Sequence, residues 1–350
     1  MTSSSPIVVV CGSTNIDTFV HVNAFPTPGE TTIGQRGVQG LGGKGANQAA
    51  ASAKMGVRTV LFSAVGNPEP TSSSDQLDPL ATLALKELSA HGVDTSFVRH
   101  TDQPTGQAFI MNDDSGENII IVTSGANETV SPADFHEDLR QLTQTSIASD
   151  GPSGEGAAGN TQPGPIILAQ GELTAEHSAE LPALARQTNS RLILNLAPVT
   201  TTDPELLAAA DPLIVNQLEA ADVTGKPRET PLPELYDALR QIATSAVVTL
   251  GAEGAAVITQ DSTETVPSPV VDHVVDTTGA GDAFAGTLAA SIARGQPMSD
   301  ATRLATAAGS LATQKPGAAA SYAPGAEVEA LAAEAAHAAL NNTPDNTPES

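Results

Sequence analysis

An α/β protein with a mainly parallel central sheet, helices on both faces and a small β-sheet lid is the fold this sequence predicts. Three observations point there. Short β-branched apolar runs alternate with helix-length segments through most of the chain, the pattern of parallel strands joined by helical crossovers. The run Ile-Val-Val-Val-Cys at 7–11 is continuously apolar, as a strand buried on both faces is. Two β-prone excursions, about 13–41 and 101–124, interrupt the alternation and would build the lid.

In chain order, residues 6–11 make the first strand, ended by Gly12. Between 17 and 39, β-prone pieces at 18–22 and 31–33 are split by Pro26-Thr27-Pro28-Gly29, which suits an antiparallel excursion. Gly42-Gly43-Lys44-Gly45-Ala46-Asn47-Gln48 then opens an Ala-rich helix to about Met55, stopped by Gly56. A strand follows at 58–65. Helices near 76–91, 132–143, 174–188 and 232–243 alternate with strands at 166–169, 191–195, 213–215 and 246–250. Segments 107–111 and 118–122 flank Asn112-Asp113-Asp114-Ser115-Gly116, a hairpin signal. Residues 1–340 are expected as a single domain. Within it 149–165, rich in Gly, Pro and Ser, reads as a flexible insertion, and 341–350 as a disordered tail.

The chain has 350 residues, enough to bury a full core. With 15 Lys and Arg against 40 Asp and Glu, its formal net charge is −25. Such a charge repels nucleic acid and anionic membranes, so neither is expected as a partner. The single cysteine, Cys11, excludes an intramolecular disulfide and fits a reducing compartment. No stretch reaches the roughly 18 apolar residues of a spanning helix, and no basic n-region opens the chain. A cytoplasmic protein is the expectation. Scattered histidines without an HExxH, and no cysteine cluster, speak against a transition-metal site.

Chemistry is concentrated in Val275-Asp276-Thr277-Thr278-Gly279-Ala280-Gly281-Asp282, which runs into an apolar, helix-like segment. That is the pattern of a tight turn opening a helix. N–H groups of the turn would form an anion hole at the helix N-terminus. Asp282 beside them would take a proton from a hydroxyl while the N–H groups hold a phosphoryl group. Read alone, the same tetrapeptide also suits a plain first-turn aspartate. The glycine spacing is not the dinucleotide fingerprint, because the next glycine after Gly281 is Gly286. Nor is Gly42-Gly43-Lys44-Gly45 a Walker A loop: Val38 stands where the first glycine belongs, and Gly45 follows Lys44. It remains a loop with little side chain, open to a small polar ligand, with Asn47 as donor and acceptor. A flexible turn with a surface lysine would read the same. Asn15 and Asp17, Glu172, Asn195, and Asn216 with Glu219 all follow or end strands, at the carboxyl edge where open α/β sheets place ligands. For Glu219 a helix-capping role competes.

These residues carry a resemblance. Gly12-Ser13-Thr14-Asn15-Ile16-Asp17, Phe25-Pro26-Thr27-Pro28-Gly29-Glu30-Thr31 and the run from Gly42 to Ala49 resemble the N-terminal signature of the ribokinase family. Residues 275–282 resemble the second signature of ribokinase-like sugar kinases. Pro104-Thr105-Gly106, Gly116-Glu117-Asn118, Gly125-Ala126-Asn127, Val215-Asn216, Glu219, and Thr249-Leu250-Gly251 with Gly254 extend the likeness, in family order, over nearly the whole chain. One departure stands out. Where the family carries Gly-Asp-Asp-x-x-Gly after the third strand, this chain has Gly66-Asn67-Pro68-Glu69-Pro70 and a Thr/Ser run, beside the sugar pocket.

The resemblance implies a ribokinase-like fold and ATP-dependent phosphorylation of D-ribose at O5. It implies Asn15, Asp17, Gly43, Lys44, Gly45, Asn47 and Glu172 around the pentose, and Asp282 as the base. Gly279, Ala280 and Gly281 would receive the γ-phosphate. Asn216, Thr249, Gly251, Gly254, Gly281 and Thr306 would line the ATP site, with Glu219 near the Mg²⁺-bound phosphates. Asp276, Thr278, Ala312, Lys315, Gly317 and Ser321 align with a K⁺ site. A homodimer through the lid would cover its open sheet edge. The competing readings are a sister kinase for deoxyribose, another pentose, fructose or a nucleoside, and a non-catalytic sugar sensor. With seven Phe, two Tyr and no Trp, the chain is poor in rings to stack a base.

Overall fold

The computed structural model describes residues 6–67, 78–148 and 164–341. The departing loop from Pro68 onward, the expected insertion as far as residue 163, and the tail from 342 lie outside the described residues. The strands among them are β1 (Ile7–Cys11), β2 (Asn15–His21), β3 (Gln35–Gly42), β4 (Arg58–Gly66), β5 (Val98–Thr101), β6 (Gly106–Asn112), β7 (Asn118–Thr123), β8 (Ile166–Gln170), β9 (Arg191–Asn195), β10 (Ala210–Asn216), β11 (Ala246–Thr249), β12 (Ala255–Ile258) and β13 (Thr263–Val266).

Nine of them form one sheet in the order β13-β12-β11-β10-β9-β8-β1-β4-β5. From β5 to β11 every pair is parallel, and β12 and β13 return antiparallel at one edge. The remaining strands make a second sheet, β3-β2-β6-β7. This is the expected α/β architecture, a mainly parallel sheet with a smaller second sheet. β1 shows why the large sheet is buried on both sides. Val8 and Val10 pack with Ala46, Ala49, Leu288 and Ala305, whereas Val9 and Cys11 pack with Leu181, Leu206, Leu235 and Leu239 on the opposite face. A period of two along an all-apolar strand needs helices on both faces.

Several sequence expectations change in detail. β2 starts at Asn15, earlier than 18, because β6 pairs with it in parallel from Asn15 to His21 and supplies a ladder that local propensity does not reveal. Residues 31–33 are irregular, and β3 begins at Gln35. Thr101 ends β5, which pairs with β4 in the large sheet, so the second lid excursion begins at Gly106. The segment 174–188 is two helices, Ala175–Ser178 and Leu181–Gln187, since Pro182 lacks an N–H and sits in a first turn. The expected helix at 132–143 opens with a 3₁₀ turn, Pro132–Phe135, before His136–Ala148. The strand expected at 246–250 stops at Thr249.

One packing contact positions the site. The helices Lys44–Lys54 and Ala280–Ala293 meet where Gly286 faces Gln48, Ala51 and Ser52. A Cβ on Gly286 would sit 2.3 Å from the Gln48 carbonyl oxygen and 2.7 Å from Ala51 Cβ. Only small residues allow so close a crossing. It sets the opening turns of the two helices side by side, at the carboxyl end of the parallel strands.

Candidate active site

Asp282 lies in the first turn of the Ala280–Ala293 helix and is buried. Its Oδ2 accepts from Asn47 Nδ2 at 3.1 Å, and its Oδ1 accepts from Gln48 Nε2 at 2.9 Å. Gly279 caps this helix with φ 76°, the left-handed region that suits glycine. Ala280 N–H donates back to Thr277 O at 3.2 Å, and Ala283 N–H begins the helical ladder on Gly279 O at 2.8 Å. The first-turn donors without a helical partner are therefore those of Gly281 and Asp282. Of the donors expected over Gly279, Ala280 and Gly281, that of Ala280 is thus used within the turn itself. A Cβ on Gly281 would meet no atom within 4 Å, so the turn is open on the side its missing side chain would occupy.

Facing this turn is the helix Lys44–Lys54. Gly43 caps it with φ 84°, directly after β3 ends at Gly42. Glu172, just past β8, accepts from Lys44 N–H at 2.9 Å through Oε2, which also accepts from Ser13 Oγ. Gly45 packs on the Gly12–Ser13 main chain, where a Cβ would come within 2.6 Å of backbone atoms. Asn15 Oδ1 accepts from Asn127 Nδ2 at 2.7 Å, and Asn127 Oδ1 accepts from Thr14 N–H at 2.8 Å. Asn127 thereby fixes the direction of Asn15. The Asn47 Oδ1 atom is buried and has no partner within the protein. Oriented donors, acceptors and an unmet carbonyl oxygen suit a polyhydroxylated ligand.

Electrostatics tie these groups together. The Lys44 ammonium is held further into its charged form, first by Asp282, against the opposing effect of burial, then by Glu172 and Glu219. Asp17 is pushed up to about 7 by burial, then by the carboxylates of Glu172 and Asp282. Gly42 makes room for it: a Cβ there would lie 1.9 Å from Asp17 Oδ1. The raised value has a stability consequence. Between its ordinary value of 3.8 and about 7 the folded chain binds more protons than the unfolded one, so stability falls as pH rises through that window and stays reduced above it. An Asp17→Asn variant is expected to melt a few degrees higher than wild type at pH 8, with the advantage gone near pH 4. Thermal melts at both pH values check this, and an equal or lower melting temperature at pH 8 would refute it.

A second group of residues lies along β10 and β11. Asn216 and Thr249 are register partners across this parallel pair. Asn216 Oδ1 accepts from Glu219 N–H at 2.9 Å and Glu219 Oε2 accepts from Asn216 N–H at 2.8 Å, a capping box on the helix Gln217–Thr224. Glu219 thus has the capping role that competes in sequence, while still acting on Lys44. Burial pushes its carboxyl up, against the opposing Asn216 N–H and Lys44. Gly251 and Gly254 form the turn between β11 and β12, with Gly254 N–H bonded to Gly251 O at 3.1 Å. Thr306 is buried on the helix Met298–Ala312, its hydroxyl donating to Arg303 O at 2.9 Å.

Behind the turn at Gly279, the Asp276 carboxylate accepts from Thr278 N–H and from Gly317 N–H, each at 2.9 Å. Burial opposes its charge, but these bonds, Gly317 first, hold its carboxyl below the usual range. Asp276 so clasps 276–278 to 313–317, where Thr313 O also accepts from Val275 and Asp276 N–H. Ser321 Oγ donates to Ala318 O at 2.7 Å. Tyr322, which carries no sequence signal, is buried beneath the turn and donates through its hydroxyl to Gly279 O at 3.2 Å. Its own proton is held far more tightly than usual, by burial first and then by Asp282 and Asp17. Among the described residues, no three His, Cys, Asp or Glu side chains converge as a metal cluster, and no helix is long and apolar enough to cross a membrane.

The family model for pfkB family carbohydrate kinases matches residues 6–324. The ribokinase of Staphylococcus aureus is 31% identical over 320 residues, covering 90% of this chain and 95% of that protein. The bifunctional ribokinase/ribose-5-phosphate isomerase A of Fructilactobacillus sanfranciscensis is 32% identical over 290 residues, and this chain spans 48% of its length. The structure of Arabidopsis thaliana ribokinase complexed with ribose and ATP superposes with a TM-score of 0.78 at 29% identity, covering 94% of this chain and 99% of that one.

Proposed function

The chain belongs to the pfkB family of carbohydrate kinases, and from that premise we propose that it transfers the γ-phosphoryl group of ATP to O5 of D-ribose. One observation carries the reading: a buried carboxylate, Asp282, stands in the same helical turn as the unpartnered N–H groups of Gly281 and Asp282 and is held by two amides. Phosphoryl transfer asks chiefly for alignment and for donors where charge builds up. The turn supplies the donors, and Asp282 takes the proton of the attacking hydroxyl. Asn15, Asp17, Lys44, Asn47 and Glu172 bind the sugar hydroxyls, with the Gly43–Gly45 main chain close beneath.

Asn216, Thr249, Gly251, Gly254 and Thr306 line the nucleotide. Mg²⁺, when bound with the nucleotide, would offset the charge of its phosphates, and Glu219 would lie near it. Asp276 ties together the two segments whose carbonyls, with Thr278, Ala312, Lys315, Gly317 and Ser321, would hold K⁺ and steady the turn from behind. Exposed Ile33, Val38 and Ile119 to Val122 leave the lid with an apolar surface that a second copy would cover; sedimentation of the chain reads out that homodimer.

ADP release measured across ribose, deoxyribose, other pentoses, fructose and nucleosides tests the reading. The highest kcat/KM is expected with ribose. A higher value for another substrate would make the chain a sister kinase, and sugar binding without turnover of any substrate would make it a sensor. The same assay at constant ionic strength, with and without K⁺, tests the cation: equal rates would remove it.

A further inference from the structure

Asp282 does not meet Gln48 by accident of rotamer. Gln48 is fully buried, and its amide belongs to a relay of three side-chain amides. Asn195 Nδ2 donates to the backbone oxygen of Ile214 in β10, at 3.2 Å. A backbone carbonyl only accepts, so Asn195 must turn Oδ1 toward Gln48. Gln48 answers with Nε2, at 2.8 Å from Asn195 Oδ1 and 2.9 Å from Asp282 Oδ1, which uses both hydrogens of its amide. Its Oε1 then accepts from Gln170 Nε2 at 2.9 Å. Gln170 Nε2 also lies 3.5 Å from the Leu168 oxygen in β8. Turning Gln170 over would set two carbonyl oxygens against each other, so its own Oε1 is left buried without a partner. That oxygen is seated against Gly12, where a Cβ would stand 1.9 Å from it.

We propose that Gln48 is a positioning residue for Asp282: backbone carbonyls of two central strands, read through Asn195 and Gln170, force Gln48 to present N–H and never C=O to the reacting carboxylate. The inference rests on the kinase reading above. It gives the Gln48 amide a defined task. One carboxylate oxygen is pinned by Gln48, and the other accepts from Asn47, whose own Oδ1 is buried without a partner. A misaligned base costs rate without costing affinity.

The test compares Gln48→Met, which keeps length and removes the donor, with Gln48→Glu, which keeps shape and replaces the donor by a carboxyl. Gln48→Met is expected to lower kcat about 10- to 100-fold with the sugar KM within about three-fold. Gln48→Glu is expected to be slower still at pH 8 and to recover relative to Gln48→Met as pH falls, because a protonated Glu again offers a hydrogen to Asp282. The charged groups around the relay, Asp17, Glu172, Asp282, Lys44, Glu219 and Tyr322, are common to both variants and cancel in that ratio. A Gln48→Met enzyme with wild-type kcat, a loss confined to KM, or a Glu-to-Met ratio independent of pH would each overturn the proposal. Gln170→Met, one step further from Asp282 along the relay, repeats the test should the Gln48 variants fail to fold, with a smaller loss of kcat expected and an unchanged kcat counting against the relay. Absence of wild-type turnover on any sugar would count against the kinase reading alone. The relay is still tested then, because the Gln48 side-chain amide in ¹⁵N-labelled protein should exchange slowly and shift in Asp282→Asn. A fast-exchanging, unshifted amide would overturn it in an inactive protein too.

Discussion

An Asp282→Asn variant is expected to bind ribose within a few-fold of wild type and to lose roughly 10²–10⁴ in kcat, the worth of a positioned general base. The substitution is isosteric, and the surroundings can absorb it. Toward residue 282 Gln48 only donates, so the new amide would turn its oxygen to Gln48 and its NH₂ to Asn47. Asn47 has an unpartnered Oδ1 and can rotate to accept that donor. Folding and sugar contacts should therefore survive while the proton acceptor is gone. Calorimetric sugar binding and steady-state rates separate the two effects. A variant that keeps more than a tenth of wild-type kcat would remove Asp282 from the role of base. One that loses sugar affinity in proportion would make it a binding group instead.

What sequence could and could not reveal follows from the range of each interaction. The turn Gly279–Asp282 and the loop Gly42–Asn47 are legible because their chemistry lies in consecutive residues: a turn, free N–H groups and a carboxylate need only local spacing. The alternation of β1, β4, β8, β9, β10 and β11 with helices is legible for a similar reason, since each strand contains a short apolar run. The relay behind Asp282 is not. Gln48 and Gln170 are 122 positions apart, Gln48 and Asn195 are 147 apart, and nothing in either neighbourhood announces the pairing. Asn127 sits in a quoted motif, but its bond to Asn15 spans 112 positions. Tyr322 follows Ala- and Ser-rich residues and reads as core until the turn is seen above it. The β12–β13 edge escapes for another reason: its four-residue strands are too short for a period-two pattern to stand out. β2 shows tertiary pairing winning over propensity, since its first three residues gain strand geometry from β3 and β6 together.

Gly279→Ala should be as damaging as loss of the base, by a different route. At φ 76° an alanine carries the left-handed penalty of about 1–2 kcal/mol. Its Cβ would also stand 2.7 Å from Ala318 Cα and Ala318 Cβ and 2.9 Å from the Tyr322 hydroxyl. Ala318 is main chain in a packed segment, and Tyr322 is buried and bonded to the same turn, so the turn itself must move. The donors of Gly281 and Asp282 move with it, while the groups of β2 and the Lys44–Lys54 helix stay in place. The expected outcome is a lowered melting temperature and a fall in kcat of about 10²–10³, the usual worth of a displaced oxyanion donor, with sugar affinity within a few-fold. Ala318→Gly added to Gly279→Ala removes the Cβ–Cβ contact and should restore part of the rate; if it restores none, backbone strain dominates. Wild-type kcat in Gly279→Ala itself would mean that the turn neither holds nor aligns the phosphoryl group.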